Sequence, residues 1–227
     1  MSIAVIVPVL DDAEPLESCL TDLAQATKPL EVHVVDGGQC QRSQELAAAH
    51  GVNYHRSAPG RGPQQNLAAA AAVSPWLWFL HADTRLPREA IDALQAHCAT
   101  AAPGWGCFRQ HIAHPHWSMR IIEAGANLRA RLGLPYGDQG IFAHRDCFRT
   151  AGGFPNEPFL EDLALAKSLR KQGRPSILSP TITSDGRRWQ QLGIARTTWR
   201  NWRILAMHLS GSRNTARMST IYTGPKK

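Results

Sequence analysis

Four short strand-like segments, apolar in character except the shorter third, each followed by a stretch at helical spacing, constrain this chain most. They are residues 3–9, 30–35, 52–56 and 76–80. Continuous apolar runs of this length mark strands buried on both faces, as in parallel sheets. After the first, Leu16, Cys19, Leu20 and Leu23 recur at helical spacing, and Asp11 or Asp12 is placed to cap that helix. Residues 42–50 read as a helix stopped by Gly51. Residues 60–63 (Gly-Arg-Gly-Pro) are expected as a loop, and residues 64–73 as an Ala-rich helix. Residues 87–98 read as a helix with Pro near its start. This alternation predicts an α/β fold, a parallel sheet covered by helices.

The pattern changes after residue 100. Residues 105–111 are expected as a strand. Residues 116–132 are expected as a helix, with Ile121, Ile122, Ala124, Leu128 and Leu132 as candidate buried positions. A short strand follows Gly137-Asp138-Gln139-Gly140, and residues 159–172 form a helix opened by Glu161-Asp162 and stopped by Gly173. Residues 174–178 and 180–183 read as two short strands, and residues 190–209 as one helix rich in Trp and Arg. No internal repeat or low-complexity linker divides the chain. One domain over 1–227 is expected, with a nucleotide-sugar half (about 1–100) and an acceptor half (about 101–227) ending in a basic helix.

No apolar run approaches the roughly 18 residues needed to span a bilayer, and the first is too short for a signal peptide. A soluble, cytoplasmic protein is expected. The five cysteines are scattered, without a Cys-x-x-Cys pair, and read as reduced thiols. The net charge is +7, much of it late in the chain, at Arg187, Arg188, Arg196, Arg200, Arg203, Arg213, Arg217, Lys226 and Lys227. Such a bias attracts phosphates, anionic lipid or nucleic acid, or is simply a solvated basic surface.

Ligands of open α/β sheets bind at the carboxyl ends of the strands. Polar groups stand at four successive ends: Asp11-Asp12, Asp36, Arg61, and His81 with Asp83. A lone strand-end Asp is usually a cap or loop residue, but four such ends in succession are a stronger signal. Asp36 can accept hydrogen bonds from a base or ribose, and Gly37-Gly38 permit close backbone approach. Arg61 can neutralise a phosphate with its forked donors. His81 and Asp83, two apart on an extended chain, point the same way and can hold a divalent cation that bridges a diphosphate.

In order along the chain, Ile6-Val7-Pro8-Val9 with its acids, Val34-Val35-Asp36-Gly37-Gly38, Gly60-Arg61-Gly62-Pro63-Gln64-Gln65-Asn66, the stretch 79–87, Gly152-Gly153-Phe154 and Leu160-Glu161-Asp162 resemble glycosyltransferase family 2. The likeness is strongest to a short bacterial subgroup associated with radical-SAM or selenodomain proteins. There His-Ala-Asp-Thr, Gly-Asp-Gln-Gly and a stretch like Ser184-Asp185-Gly186-Arg187-Arg188-Trp189 recur. The resemblance implies a GT-A fold, a Rossmann-like mixed sheet flanked by helices. It implies an inverting transferase that moves a sugar from a nucleotide-diphospho-sugar, UDP by default, to a hydroxyl acceptor. Pro8 and Val9 would shape the base pocket, with Asp11 at the same strand end, and Asp36 would bind the uracil or ribose. Arg61 would contact the nucleotide or its phosphates, and Asp83, the final acid of an Asp-x-Asp motif, would hold the metal. Asp162, with Glu161 beside it, would be the general base. Arg187 and Arg188 are candidates for the cation that stabilises the leaving diphosphate, or are solvated arginines. Asp138 is an acceptor-site candidate or a turn residue.

The sequence also departs from the family pattern. His81 replaces the first acid of Asp-x-Asp. If it ligates, Mn²⁺ is expected over Mg²⁺; alternatively it only bonds groups behind the metal. Asp185 stands where the processive-synthase motif Gln-x-x-Arg-Trp has Gln, so transfer of one sugar is expected. A sugar-phosphate nucleotidylyltransferase is the alternative enzyme, but Asp11-Asp12-Ala13-Glu14 would repel a triphosphate. A degenerate nucleotide-sugar binder is the non-enzymatic alternative, which Asp83 and Asp162 speak against. Nucleic acid is not expected as a partner. A small-molecule or lipid-linked acceptor, with Trp199 and Trp202 at a membrane surface, is the weaker further expectation.

Overall fold

The computed structural model describes residues 1–38 and 40–209. The four segments are strands β1 (Ile3–Val9), β2 (Glu31–Asp36), β3 (Asn53–Arg56) and β4 (Trp76–Phe79). They pair in parallel, β2 and β4 flanking β1 and β3 lying outside β2. Val9 lies opposite Asp36 and Ile6 opposite Phe79, so the carboxyl ends of the strands come together. β1 is buried along its whole length because helices cover both faces. Val5 and Val7 pack with Leu16 and Leu20 of helix α1 (Ala13–Leu23) and Ile91 and Leu94 of α4 (Arg88–Thr100). Ala4 and Ile6 face the other core with Leu77, Phe79 and the Ala-rich helix α3 (Arg61–Ala71). Truncating such a side chain, Ile6→Ala for example, costs about 2–5 kcal/mol.

Pro8 sits within this central strand without breaking it. The Ile6 carbonyl accepts from Leu80 on the β4 side. Two residues on, the Pro8 nitrogen faces that side beyond the last β1–β4 pair, where no ladder bond is lost. The expected loop at 60–63 is instead a helix start. Arg61, Gly62 and Pro63 form the first turn of α3, where a proline lacking N–H is tolerated.

Helix α2 (Gln41–Ala49) joins β2 to β3. The second half adds β5 (Trp105–Ala113), α5 (Ser118–Arg131), a 3-10 turn at Gly137–Gln139 and β6 (Phe142–His144). A short helix α6 (Arg145–Thr150), which the pattern did not foretell, leads to α7 (Glu161–Arg170) and β7 (Ser176–Asp185). β6 runs antiparallel between β4 and β5, giving the order β3-β2-β1-β4-β6-β5-β7. The fold is therefore α/β with a mixed sheet.

Three expectations are corrected. The two short strands are one, β7, because Pro180 falls in a register shift against β5 on the sheet edge, where its missing donor costs nothing. The late helix is two, α8 (Arg187–Leu192) and α9 (Ile194–Leu209), broken at Gly193 with φ 82°. In α5 the apolar stripe faces outward. Ile121, Leu128 and Leu132 are 63%, 58% and 58% exposed and Ala124 is exposed, while Met119, Glu123, Ala126 and Ala130 are buried. Glu123 goes inward because it accepts from the Ile112 N–H and meets His111 and Arg120. All five cysteines are free thiols, with Cys19, Cys98 and Cys107 in the interior.

Candidate active site

A cavity of about 300 Å³ opens at the carboxyl end of β4. Arg61, His81, Asp83, Asp138 and Asp162 all line it, together with Tyr136, Ser184, Asp185, Trp189 and the α9 residues Asn201 and Ile204. Five expected site residues from four distant parts of the chain thus share one space.

The arrangement follows from local locks. Arg85 forms a forked pair with buried Asp22 of α1 (2.9 and 3.0 Å), and Asp22 also accepts from the Leu86 N–H (3.0 Å). Arg85 exchanges backbone bonds with Thr183 of β7 as well. The segment 81–86 is thereby held between α1 and β7. Across the cavity, Asn66 of α3 binds the backbone of Phe154 on both sides (2.8 and 2.9 Å), and Phe154 packs edge-on against Phe79. Gly152 and Gly153 both take positive φ to reach that position. This clamp sets the start of α7 against the start of α3.

Asp162 is buried. Its Oδ2 accepts from the Gly137 N–H (2.6 Å) and its Oδ1 from the Leu163 N–H (2.7 Å). Each carboxylate oxygen keeps a second lone pair, so the group is oriented while still able to accept a proton. Gly137 has no room for a side chain: a Cβ there would lie 2.6 Å from His81 Nε2 and 3.2 Å from Asp162 Oδ2. Leu160, just before α7, holds φ 56°, a strained value that turns the chain into the helix beside the cavity.

Glu161 does not line the cavity and is 1% exposed. Its Oε1 pairs with Arg61 Nε at 2.9 Å, and its Oε2 has no hydrogen-bond partner among the described residues. Burial, reinforced by repulsion from Asp162, pushes its carboxyl up to about 7, and Arg61 offsets only part of this. Arg61 also approaches His81 Nε2 (3.5 Å). A guanidinium only donates, so Nε2 accepts and the imidazole is neutral. Burial and Arg61 lower the His81 pKa, against the pull of Asp83, Asp138 and Asp162. His81 Nε2 therefore faces Arg61.

Asp138 receives Gln110 Nε2 on Oδ2 (2.7 Å), while Oδ1 is buried without a partner among the described residues. Burial raises its carboxyl, partly countered by His81 and Gln110. Gln110 also donates to Ser184 (2.7 Å), which ties the 3-10 turn to β7.

The strand ends assigned to a base and ribose stand apart from this cavity. Asp36 is 0% exposed, with Gly38 N–H on Oδ1 (2.8 Å) and Tyr54 hydroxyl on Oδ2 (2.9 Å). An expected direct acceptor is thus already engaged. Pro8 and Val9 are buried. The Val9 carbonyl takes Gly37 N–H and the side-chain amide of Gln64, which also reaches Val35 O. Asp11 holds φ 51° and packs against Gly38, closely enough that a Cβ there would strike its carboxylate. Asp12 occupies the N-cap position of α1, and neither acid makes a side-chain cap. Burial is the main cause that raises the Asp12 carboxyl; Arg187 opposes it, while Asp83 and Asp185 add to it. Neither acid lines the cavity; Asp12 is near enough to Asp83, Asp185 and Arg187 to feel their charges.

Arg187 forms an ion pair with Asp185, its partner in the cavity wall, and feels Asp12 and Asp83. Arg188 lies in α8 with its side chain outside the described residues, as are Arg213, Arg217, Lys226 and Lys227. The sequence reading missed Gln64, Gln110, Tyr136 and Asp185. Asp185 stood inside a noticed motif, but its place depends on the register of β7.

Among the described residues no cluster of three or more His, Cys, Asp or Glu forms a ready metal site. Half-buried Asp83 in the cavity wall offers a hard oxygen donor of the type that holds Mg²⁺ or Mn²⁺ together with substrate phosphates.

Residues 4–140 match the family described as Glycosyl transferase family 2. The fold is that of solved GT-A glycosyltransferases. A mannosyltransferase from Pyrobaculum calidifontis, in complex with GDP-Man and Mn²⁺, is 19% identical with a TM-score of 0.64, over 91% of this chain and 61% of that one. S. aureus TarS is 16% identical with a TM-score of 0.66, over 97% and 42%. Glucosyl-3-phosphoglycerate synthase from Mycobacterium tuberculosis, in complex with Mn²⁺, UDP and glucosyl-3-phosphoglycerate, is 17% identical with a TM-score of 0.58, over 81% and 70%. The chain thus spans less than two thirds of the first two. No curated protein matches the sequence significantly.

Proposed function

This chain belongs to glycosyl transferase family 2, and we propose that it moves one sugar from a nucleotide-diphospho-sugar, a UDP-sugar by default, to an acceptor hydroxyl with inversion. The observation that carries the reading is the convergence of Arg61, His81, Asp83, Asp138 and Asp162 on one cavity at the strand ends. Asp162 takes the proton from the acceptor hydroxyl as its oxygen bonds to the anomeric carbon. The bond to the diphosphate breaks and its electron pair leaves with the diphosphate. Two backbone amides fix the Asp162 carboxylate, which limits the motion needed to reach that proton. Glu161 acts through Arg61, holding the guanidinium at the cavity wall, where it stabilises the leaving charge. Arg187, bridged to Asp185, is the second candidate for that work. Asp138, in the cavity wall, is the candidate to hold the acceptor.

A divalent cation held by Asp83 and the donor's phosphate oxygens would supply charge neutralisation there. Mn²⁺ is proposed over Mg²⁺ on the strength of His81. Pro8, Val9, Asp11 and Asp36 are proposed to shape the base end, Asp36 through the Gly38 amide it holds. We take residues 1–227 as one domain with a donor half and an acceptor half, acting in the cytoplasm without processivity.

The test is to incubate the chain with UDP- and GDP-linked sugars and Mn²⁺ or Mg²⁺ and to measure free nucleoside diphosphate. Slow donor turnover that Asp83→Asn removes is expected. A donor that raises the melting temperature but is never turned over would mark a binder and overturn the reading.

A further inference from the structure

Helix α9 has two working faces. On one, Thr197 and Ile204 are buried and Ile204 and Asn201 line the cavity. On the opposite side Ala195, Trp199, Trp202 and Ala206 are all exposed, and their spacing of four, three and four residues puts them on one stripe. Trp199 and Trp202 are each 65% exposed. Two indoles left in solvent on one stripe are unusual for a surface helix unless something covers them.

Charge indicates what covers them. At 100° per residue, Arg196, Arg200 and Arg203 fall together along one flank of the stripe. The chain contains no Asp or Glu after Asp185, whereas nine Lys and Arg follow it. Those nine exceed the net charge of +7, so residues 1–185 are slightly acidic and the excess is confined to the end of the chain. An apolar stripe with indoles at its centre and arginines beside it is the pattern of a helix lying in a lipid interface. The rings enter the headgroup boundary and the guanidinium groups meet lipid phosphates. A single-stranded nucleic acid site would instead interleave bases and phosphates with mixed aromatic and basic residues along a groove.

We propose that the outer face of α9 docks on an anionic phospholipid surface through Trp199 and Trp202, with Arg196, Arg200 and Arg203 supplying the charge. The cavity then lies about one helix diameter, ~10 Å, from the headgroups. The proposal does not depend on the transfer reaction and is tested by binding alone.

The full chain is sedimented with vesicles of phosphatidylcholine alone or mixed with phosphatidylglycerol at low salt. Partition onto the anionic vesicles only is expected, weakening as salt is raised. Trp199→Ser with Trp202→Ser should lower partition at least about tenfold. Each of Arg196→Gln and Arg203→Gln should lower it about fivefold. These positions are exposed, and circular dichroism with a nucleotide-induced thermal shift verifies that each variant folds. The proposal is overturned if the wild type ignores anionic vesicles, or if the double Trp variant binds as well as wild type. It is also overturned if that variant turns a wild-type dimer into a monomer, or if the wild type binds single-stranded DNA in place of vesicles.

Discussion

Glu161→Gln should stabilise the protein at alkaline pH, although it removes one member of an ion pair. Glu161 is buried, has one oxygen without a partner among the described residues and sits beside Asp162. These costs exceed the attraction of Arg61 and raise its carboxyl from 4.5 to about 7. A group whose folded pKa is raised contributes fully below its unfolded pKa, and the contribution is lost as pH rises through the folded one. The window therefore runs from about pH 4.5 to 7. Between pH 5 and pH 8 the wild type should lose about 2–3 kcal/mol from this group, since each tenfold change in a proton equilibrium is worth about 1.4 kcal/mol. A neutral amide mimics the protonated acid and escapes that loss. Urea unfolding of both proteins at the two pH values measures it: stabilities should be closer at pH 5 and should diverge in favour of the variant at pH 8. Parallel pH profiles, or a variant weakened at pH 8, would refute the claim that burial outweighs the Arg61 pair.

Gly137→Ala should cut donor turnover by about a hundredfold, because its Cβ would displace His81 or Asp162 by tenths of an ångström or more; steady-state kinetics beside an unchanged far-ultraviolet spectrum would show it. Asp22→Ala should cost about 1–3 kcal/mol in urea unfolding, since it strands the buried Leu86 N–H as well as the Arg85 fork. Removing divalent cations with a chelator should abolish turnover, and Mn²⁺ should restore it better than Mg²⁺. Equal turnover with the two ions at matched saturation would count against His81 as a ligand.

What the sequence made legible was what is written locally. Strands β1, β2 and β4 could be read because parallel strands buried on both faces need apolar runs, whereas β3, polar and half-exposed at the sheet edge, was legible only from its place in the alternation. Asp83 and Asp162 could be placed because each sits in a short motif at an element boundary. The face of α5 could not, because periodicity favours Ile121 and Leu128 as core. The burial of Glu123 depends on the Ile112 amide and His111, partners on β5. Asp11 and Asp12 were indistinguishable neighbours in the sequence, and the positive φ of Asp11, which packs it against Gly38, is set by the fold. Asp185 and Gln110 required the register of β7 on β5, which no local pattern encodes. The break at Gly193 was visible in the sequence, but the Trp and Arg periodicity on either side masked it.

The most direct test of the central claim compares wild type with Asp162→Asn. Donor affinity and nucleoside diphosphate release are measured on the same samples. The Asn side chain can still accept from the Gly137 amide but cannot take the acceptor's proton. Donor affinity should hold while transfer falls by about 10²–10⁴-fold. A variant that transfers sugar at the wild-type rate would contradict the assignment of Asp162 as the base on which the proposed reaction rests.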